Sequence, residues 1–285
     1  MSSKTAITVE NLHYHYQTSE SENVLKGISL TIDAGEFVAL VGQNGAGKTT
    51  LAKHFNGLLK ASSGRVMVGN IDATHSKVSE LAKLVGFVFQ NPDHQIFHDS
   101  VEKEVIFGLK NLGLPTEEIN NRVNEALNAV GLQDYRQAYP YDLSRGQRQR
   151  VALASVLAIK PEVIVLDEPT TGQDYRESMR IMEMINELNS KGHTIIFITH
   201  DMTLVAEFAK RVIALCQGEV LVDDCVRNVF TQPELLSKTL LELPPVVRLA
   251  DELQDLGISE NLLTVKEVYQ ALKILDRGEN IGLCG

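Results

Sequence analysis

No run of this sequence approaches the roughly 18 consecutive apolar residues that a bilayer span requires, so any membrane role is expected to be peripheral. Residues 1–5 also lack the apolar stretch of a secretory signal. Cysteine is scarce: Cys216, Cys225 and Cys284 have no C-x-x-C spacing and leave an odd thiol. That excludes a disulfide framework and fits a reducing cytosol, with the thiols expected as buried apolar filler. Basic residues are outnumbered, 27 Lys and Arg against 37 Asp and Glu, and the net charge of −10 argues against a broad nucleic-acid surface. Internal repeats and low-complexity tracts are absent. His13, His15, His54, His75, His94, His98 and His193 show no metal-ligand spacing and are read as structural or solvated. What remains is an ordinary globular composition, 285 residues with 44% apolar, enough for one large core and a small appended domain.

The hydrophobic pattern has three regimes. Ile7-Thr8-Val9-Glu10, Leu12-His13-Tyr14-His15-Tyr16 and Ile28-Ser29-Leu30-Thr31-Ile32 alternate as strands do, with a polar loop over 18–23. Phe37-Val38-Ala39-Leu40-Val41, Val163-Ile164-Val165-Leu166 and Ile195-Ile196-Phe197-Ile198 are continuous apolar runs, the mark of buried parallel strands, and 212–215 is a fourth. Segments 65–68 and 87–89 suggest a further β pair. Helical spacing appears in Ile119, Val123, Ala126, Leu127 and Val130, closed by Gly131, and again over 146–159 and 176–189. Strands alternating with helices predict a parallel α/β sheet. Beyond residue 232 the texture changes to short helical pieces. Val246, Val247, Ala250, Leu253 and Leu256 form one amphipathic face. Thr264-x-x-Glu267 is a capping box for another helix, with Val265, Val268, Leu272 and Leu275 expected on its apolar side.

Chemistry is concentrated at two strand ends. Gly42-Gln43-Asn44-Gly45-Ala46-Gly47-Lys48-Thr49 has the G-x-x-x-x-G-K-[ST] pattern and directly follows a buried strand. Its glycines let backbone N–H groups turn inward onto phosphate, and the next helix adds its positive end. Lys48 is expected to reach the β- and γ-phosphates and Thr49 to ligate Mg²⁺. A glycine-rich turn matching by chance would lack the preceding strand and following helix. The second end is Asp167-Glu168. Adjacent residues of a strand point to opposite sides, so Asp167 is expected to serve Mg²⁺ through its water shell while Glu168 reaches the attacking water as base. A solvated strand end is the bland alternative, and the phosphate loop weighs against it.

Three further features specify the type of P-loop NTPase. Leu143-Ser144-Arg145-Gly146-Gln147 opens a helix just upstream of Asp167. Gln90 is expected to end the strand over 87–89, and His200-Asp201 follows the strand over 195–198. This set, in this order, resembles the ABC-type ATPases over about residues 5–230. The resemblance implies a RecA-like parallel sheet with an antiparallel β subdomain and a helical subdomain over about 91–160, all within 1–231, and a helical extension over 232–285. It implies ATP contacts at Tyr16, Gly42, Asn44, Gly45, Ala46, Gly47, Lys48, Thr49, Thr50 and Gln90, with Tyr14 the alternative to Tyr16 for stacking on adenine. Gln90 would ligate Mg²⁺ and sense the γ-phosphate. His200 would bond the γ-phosphate and orient Glu168, and Glu168, His200 and Lys48 would carry catalysis. Ser144, Arg145, Gly146 and Gln147 would close on nucleotide held by the opposite subunit, and Asp174 would cross the dimer interface. The free N–H groups of a serine-capped helix end suit that anion-binding role. Two residues depart from the family pattern: Arg145 stands where Gly is usual, and Gln173 where Leu is commoner.

Gln90-Asn91-Pro92-Asp93-His94-Gln95-Ile96-Phe97, followed by 101–108, is similar to the energy-coupling-factor importers of vitamins and of cobalt or nickel, as is the extension carrying Leu243-Pro244-Pro245. This implies a second ATPase, identical or paralogous, a transmembrane coupling subunit, a membrane substrate-binding subunit, and a place on the cytoplasmic face of the membrane. It also implies an extension that helps hold the two ATPases together. A soluble ABC ATPase acting on nucleic acid or ribosomes is the alternative. Such proteins usually carry a long coiled-coil insertion or a second fused ATPase domain, and this chain has neither.

Overall fold

The computed structural model describes residues 4–16, 23–239, 241–256, 258 and 261–276. Most of the loop expected over 18–23, and Cys284, lie outside them. The chain opens with β1 (Thr5–Tyr14), β2 (Leu25–Asp33) and β3 (Phe37–Gly42), then α1 (Lys48–Phe55). Next come β4 (Ser63–Val68), β5 (Ile71–Asp72), α2 (Val78–Leu81) and β6 (Val85–Val88). Three helices follow: α3 (Val101–Asn111), α4 (Thr116–Ala129) and α5 (Arg145–Leu157). The α/β pattern resumes with β7 (Val163–Asp167), α6 (Tyr175–Ser190), β8 (Thr194–Ile198), α7 (Met202–Phe208), β9 (Arg211–Cys216) and β10 (Glu219–Cys225).

Two sheets result. One is antiparallel, in the order β2-β1-β4-β5. The other runs β10-β9-β3-β8-β7-β6, parallel from β9 to β6, with β10 an antiparallel edge. Segment 65–68 therefore does not pair with 87–89. β4 lies against β1, whereas β6 lies against β7. The reason is length: an antiparallel pair can be joined tightly, but β6 is reached through α2 and needs a parallel neighbour. β6 also stops at Val88, so Gln90 sits beyond the strand, not at its end.

Every residue of β3, β7 and β8 is buried, and their alternation feeds two cores. Phe37, Ala39, Val41, Ile164, Leu166, Ile195 and Phe197 join the helices α3 to α7. Val38, Leu40, Val163, Val165, Ile196 and Ile198 join α1 and the antiparallel sheet. A strand covered on both faces has no polar side, hence the unbroken apolar runs in the sequence. Within β1 the alternation slips at Asn11 (φ 46°), a residue that tolerates the left-handed region, and the register shifts between Val9 and Leu12. The loop after α4 is built as expected. Gly131 (φ 63°) donates to Asn128 O at 3.1 Å and Leu132 to Leu127 O at 2.9 Å, a Schellman closure.

The C-terminal part consists of α8 (Val226–Phe230), α9 (Pro233–Lys238), α10 (Pro245–Glu252) and α11 (Val265–Asp276). Thr264 and Glu267 form the reciprocal capping box, at 3.2 and 3.1 Å. Leu236, Val247 and Leu263 pack into the same core as the central helices. The buried face of α11 is Val268 and Ala271, while Val265 (72% exposed) and Leu272 face outward, which corrects the face read from the sequence. Val268 keeps its expected inward place, and the small Ala271 joins it in the core. The cysteines also differ from expectation: Cys225 is exposed and Cys216 half-buried, because both sit at the ends of edge-region strands.

Candidate functional site

The loop from β3 to α1 is shaped by backbone that only glycine allows. Gly42 has φ 139°, and a Cβ there would stand 2.2 Å from the carbonyl oxygen of Leu215 on β9. Gly47 has φ 101°, and a Cβ there would stand 2.7 Å from Leu25. Gly47 is also the N-cap of α1 and offers no side-chain acceptor, so the first amides of the helix are left for an anion. Lys48 is buried, and its Nζ donates to Gly42 O at 2.7 Å and Gln43 O at 2.8 Å. Burial pulls its pKa below the ordinary lysine value, opposed by the Glu168 and Asp167 carboxylates. Gly42→Ala is expected to displace β9 or the loop at a cost of about 1–3 kcal/mol, from overpacking alone. Thermal melting combined with a nucleotide-binding titration will show both losses together.

Asp167 ends β7 and receives the Thr49 hydroxyl at 2.9 Å (Oδ2) and 3.1 Å (Oδ1). Desolvation raises its pKa, the Thr49 bond opposes this, and neighbouring Glu168 adds to the rise. A carboxyl whose folded pKa is raised binds its proton first in the native state, so stability falls as pH rises through that window. Asp167→Asn, which removes the buried charge, is expected to raise the melting midpoint of the nucleotide-free chain by about 2 °C. The same variant should lose Mg²⁺-dependent hydrolysis; a lowered midpoint would contradict the charge argument.

Glu168 does not follow strand alternation. Its backbone turns into the left-handed region (φ 49°), so it shares a cavity of about 390 Å³ with Asp167 and borders a second cavity on its other side. Both carboxylate oxygens are held: Oε1 lies 2.8 Å from His200 Nδ1, and Oε2 accepts from Thr171 Oγ1 at 3.0 Å. A carboxylate only accepts, so Nδ1 of His200 carries the proton in this pair. Thr171 was not singled out from the sequence. Its one signal is a hydroxyl three residues beyond Glu168, where a turn returns the side chain to the carboxylate.

The first cavity gathers Tyr16, Asn44, Gly45, Gly47, Lys48, Thr49, Thr50, Gln90, Asp167 and Glu168, along with Val24 and Ile198, which sequence reasoning passed over as ordinary apolar positions. Gly42 and Ala46 shape the loop without lining that cavity. Of the two tyrosines, Tyr16 lines it and shares a 3.1 Å hydrogen bond with the Thr50 hydroxyl. Tyr14 stands behind, edge-on to Tyr16 at 5.0 Å and to His54 at 4.8 Å. Thr49, Asp167 and Gln90 all bring hard oxygen donors to this cavity, a set suited to Mg²⁺ completed by phosphate oxygens. Among the described residues no group of three or more His, Cys, Asp or Glu is arranged to hold a metal unaided.

Ser144, Arg145, Gly146 and Gln147 form a separate surface. Ser144 caps α5, accepting from Gln147 N at 3.2 Å while its own N–H donates to Gln147 Oε1 at 2.9 Å. None of the four lines the phosphate cavity. Asp174 caps α6, accepting from Glu177 N at 2.8 Å. Gly146 is a packing requirement: a Cβ there would come within 2.6 Å of Glu177 Cγ. The loop after Gln90 is gripped by α5, through Asp93–Arg148 at 2.8 Å and Gln95 Nε2 donating to Ala152 O and Ser155 Oγ, both at 3.3 Å. Just beyond, Phe97 (62% exposed) stacks with His98 and Phe107.

Comparison with known proteins places this geometry in a family. The ABC transporter family profile matches residues 25–171. The energy-coupling factor transporter ATP-binding protein EcfA2 of Clostridium perfringens is 40% identical, over 96% of this chain and 100% of that protein. Among solved structures, cbiO1 from Clostridium perfringens, described as part of the ABC transporter complex cbiONQ, has a TM-score of 0.75 at 38% identity, covering 87% of this chain and 99% of its own. A dimeric ATP-binding cassette in a post-hydrolysis state with ADP and Pi has a TM-score of 0.70 at 32% identity, covering 78% and 99%. This chain spans only 46%, 43% and 43% of the length of three curated relatives, each described as a putative ABC transporter ATP-binding protein.

Proposed function

The chain belongs to the ABC transporter ATP-binding family, and on that premise we propose that it is the ATP-hydrolysing subunit of an energy-coupling-factor-type importer. The observation that carries this reading is the separation of two half-sites on one chain. The glycine loop, Asp167 and Glu168 surround one cavity, and the serine-capped end of α5 is not part of it. An anion-binding helix end that cannot serve its own chain's nucleotide can serve that of a second ATPase, identical or paralogous. The dimeric cassette among the related structures supports this arrangement.

In this reading Lys48 and the loop amides hold the phosphates, and Tyr16 stacks on the adenine, a contact worth about 1–3 kcal/mol. Glu168, held by His200 and Thr171, accepts the proton of the attacking water. Ser144 with the amides at the start of α5 meets the γ-phosphate from across the interface, where fixed donors contribute most to lowering the barrier. Mg²⁺, held through Thr49 and Gln90 and through water at Asp167, would supply charge neutralisation at the phosphates. Asp174 stands at the interface between the subunits.

The same reading places the chain on the cytoplasmic face of the membrane, bound to a transmembrane coupling subunit beside a substrate-binding membrane subunit. Among the described residues no helix is long and apolar enough to cross a membrane. The loop after Gln90 is the contact for the coupling subunit, and the solute, a vitamin or a transition metal, is recognised within the membrane. The extension over 232–285 supports the ATPase pair. Mass spectrometry of the intact complex, purified from membranes through a tag on this chain, tests the assignment. Two ATPases with small hydrophobic subunits are expected; recovery of the chain alone, or with ribosomes or nucleic acid, would overturn it.

A further inference from the structure

Arg145 departs from the family pattern, and its place in the fold is specific. It is the first residue of α5, and its guanidinium lies across Gly172 in the 170–173 loop. A Cβ on Gly172 would stand 2.9 Å from Arg145 Nη1 and 3.0 Å from Cζ, so a side chain there would push the guanidinium off the loop. Among the described residues no carboxylate pairs with Arg145. A cation at the positive end of a helix opposes the helix dipole, and the first turn of α5 holds no acidic residue to compensate. Arg145 is therefore not placed there for the stability of its own helix.

What the contact joins is more informative. Beneath it, Gly146 lets α5 approach Glu177 of α6, whose Oε1 lies 3.2 Å from Arg150 Nε, so the two helix ends form one packed unit. Next to Gly172, Thr171 donates its hydroxyl to Glu168 Oε2 at 3.0 Å, and its N–H bonds Glu168 O at 3.2 Å. We propose that Arg145 is a positioning residue: by lying on Gly172 it fixes the 170–173 loop, and through Thr171 the carboxylate of Glu168, relative to the serine-capped end of α5. The inference rests on the reading of Glu168 as the base. It deepens that reading by tying the orientation of the base to the helix that meets the opposite subunit's nucleotide. A planar guanidinium can lie flat on a peptide, whereas an ammonium cannot, so lysine should be a poor substitute.

Steady-state hydrolysis and nucleotide binding by the full-length chain, assembled with its partner subunits, test this. Arg145→Ala is expected to lower kcat about tenfold with KM for ATP within about twofold of wild type, the size typical of coupled neighbours. The melting midpoint should not fall, because the side chain is exposed and its charge opposes the dipole of its own helix. Arg145→Lys should stay close to Arg145→Ala. In a Thr171→Val background, Arg145→Ala should cost less than about twofold, since the link is already cut. The proposal is overturned by an unchanged kcat in Arg145→Ala, by a rise in KM alone, by full recovery with lysine, or by effects that multiply in the double variant. Glu168→Gln, assayed alongside, tests the underlying reading separately: sustained turnover there would remove the base, whatever Arg145 does.

Discussion

Glu168→Gln should bind MgATP as tightly as the wild type yet lose about a hundred- to ten-thousand-fold in turnover, the usual contribution of a positioned general base. The amide keeps the size of the side chain and can still accept from Thr171 Oγ1 or His200 Nδ1, now 3.0 and 2.8 Å away. It cannot take a proton from water. The loss should therefore appear in kcat alone, with the closed dimer accumulating on MgATP. Single-turnover hydrolysis and light scattering of the same sample will separate chemistry from assembly. Undiminished hydrolysis would mean that another group activates the water, and would reduce the Thr171 and His200 contacts to structural ones.

Lys48→Ala is the second large effect, and it should appear earlier in the cycle. Lys48 is buried, with two backbone carbonyls 2.7 and 2.8 Å from its ammonium and the Asp167 and Glu168 carboxylates nearby. Removing it takes away the one buried cation that lines the phosphate cavity among the described residues and leaves the Asp167 and Glu168 carboxylates there without it. Nucleotide affinity and kcat/KM should both fall, by about a hundred- to a thousand-fold if its donors behave as other pre-organised donors do. The nucleotide-free variant should also melt lower than the wild type, because the Gly42 and Gln43 carbonyls lose their donor. Equilibrium binding of a fluorescent nucleotide and thermal melting provide both readings. Normal affinity would show that the loop amides hold the phosphates unaided.

These sites were legible in the sequence because their logic is local. The stretch from Phe37 to Thr49 states a buried strand, a turn that glycine alone permits and a helix, within a few residues of one another. The apolar runs ending at Leu166 and Ile198 were legible for the same reason: burial on both faces leaves no alternation to misread. What escaped depends on distant partners. β4 and β6 are both short, and nothing within them says which sheet each joins. β10, with its half-exposed residues, carries little pattern at all. Val265 and Val268 are equally apolar, so the buried face of α11 is decided by what it packs against. The left-handed turn at Glu168 is also invisible to a rule of strand alternation, yet it brings both carboxylates to one cavity. Arg145 was visible as an odd residue, but Gly172 lies 27 positions away, and only the fold brings them together.

The grip of α5 on the segment after Gln90 has a mechanical consequence. Asp93 and Gln95 hold that segment at two points one helical turn or more apart, on Arg148 and on the Ala152–Ser155 stretch. Two points of attachment resist rotation where one would act as a swivel. A displacement of the Asp93–Gln95 stretch should therefore shift α5, with its Ser144 end, as one body, and a shift of α5 should draw that stretch along in turn.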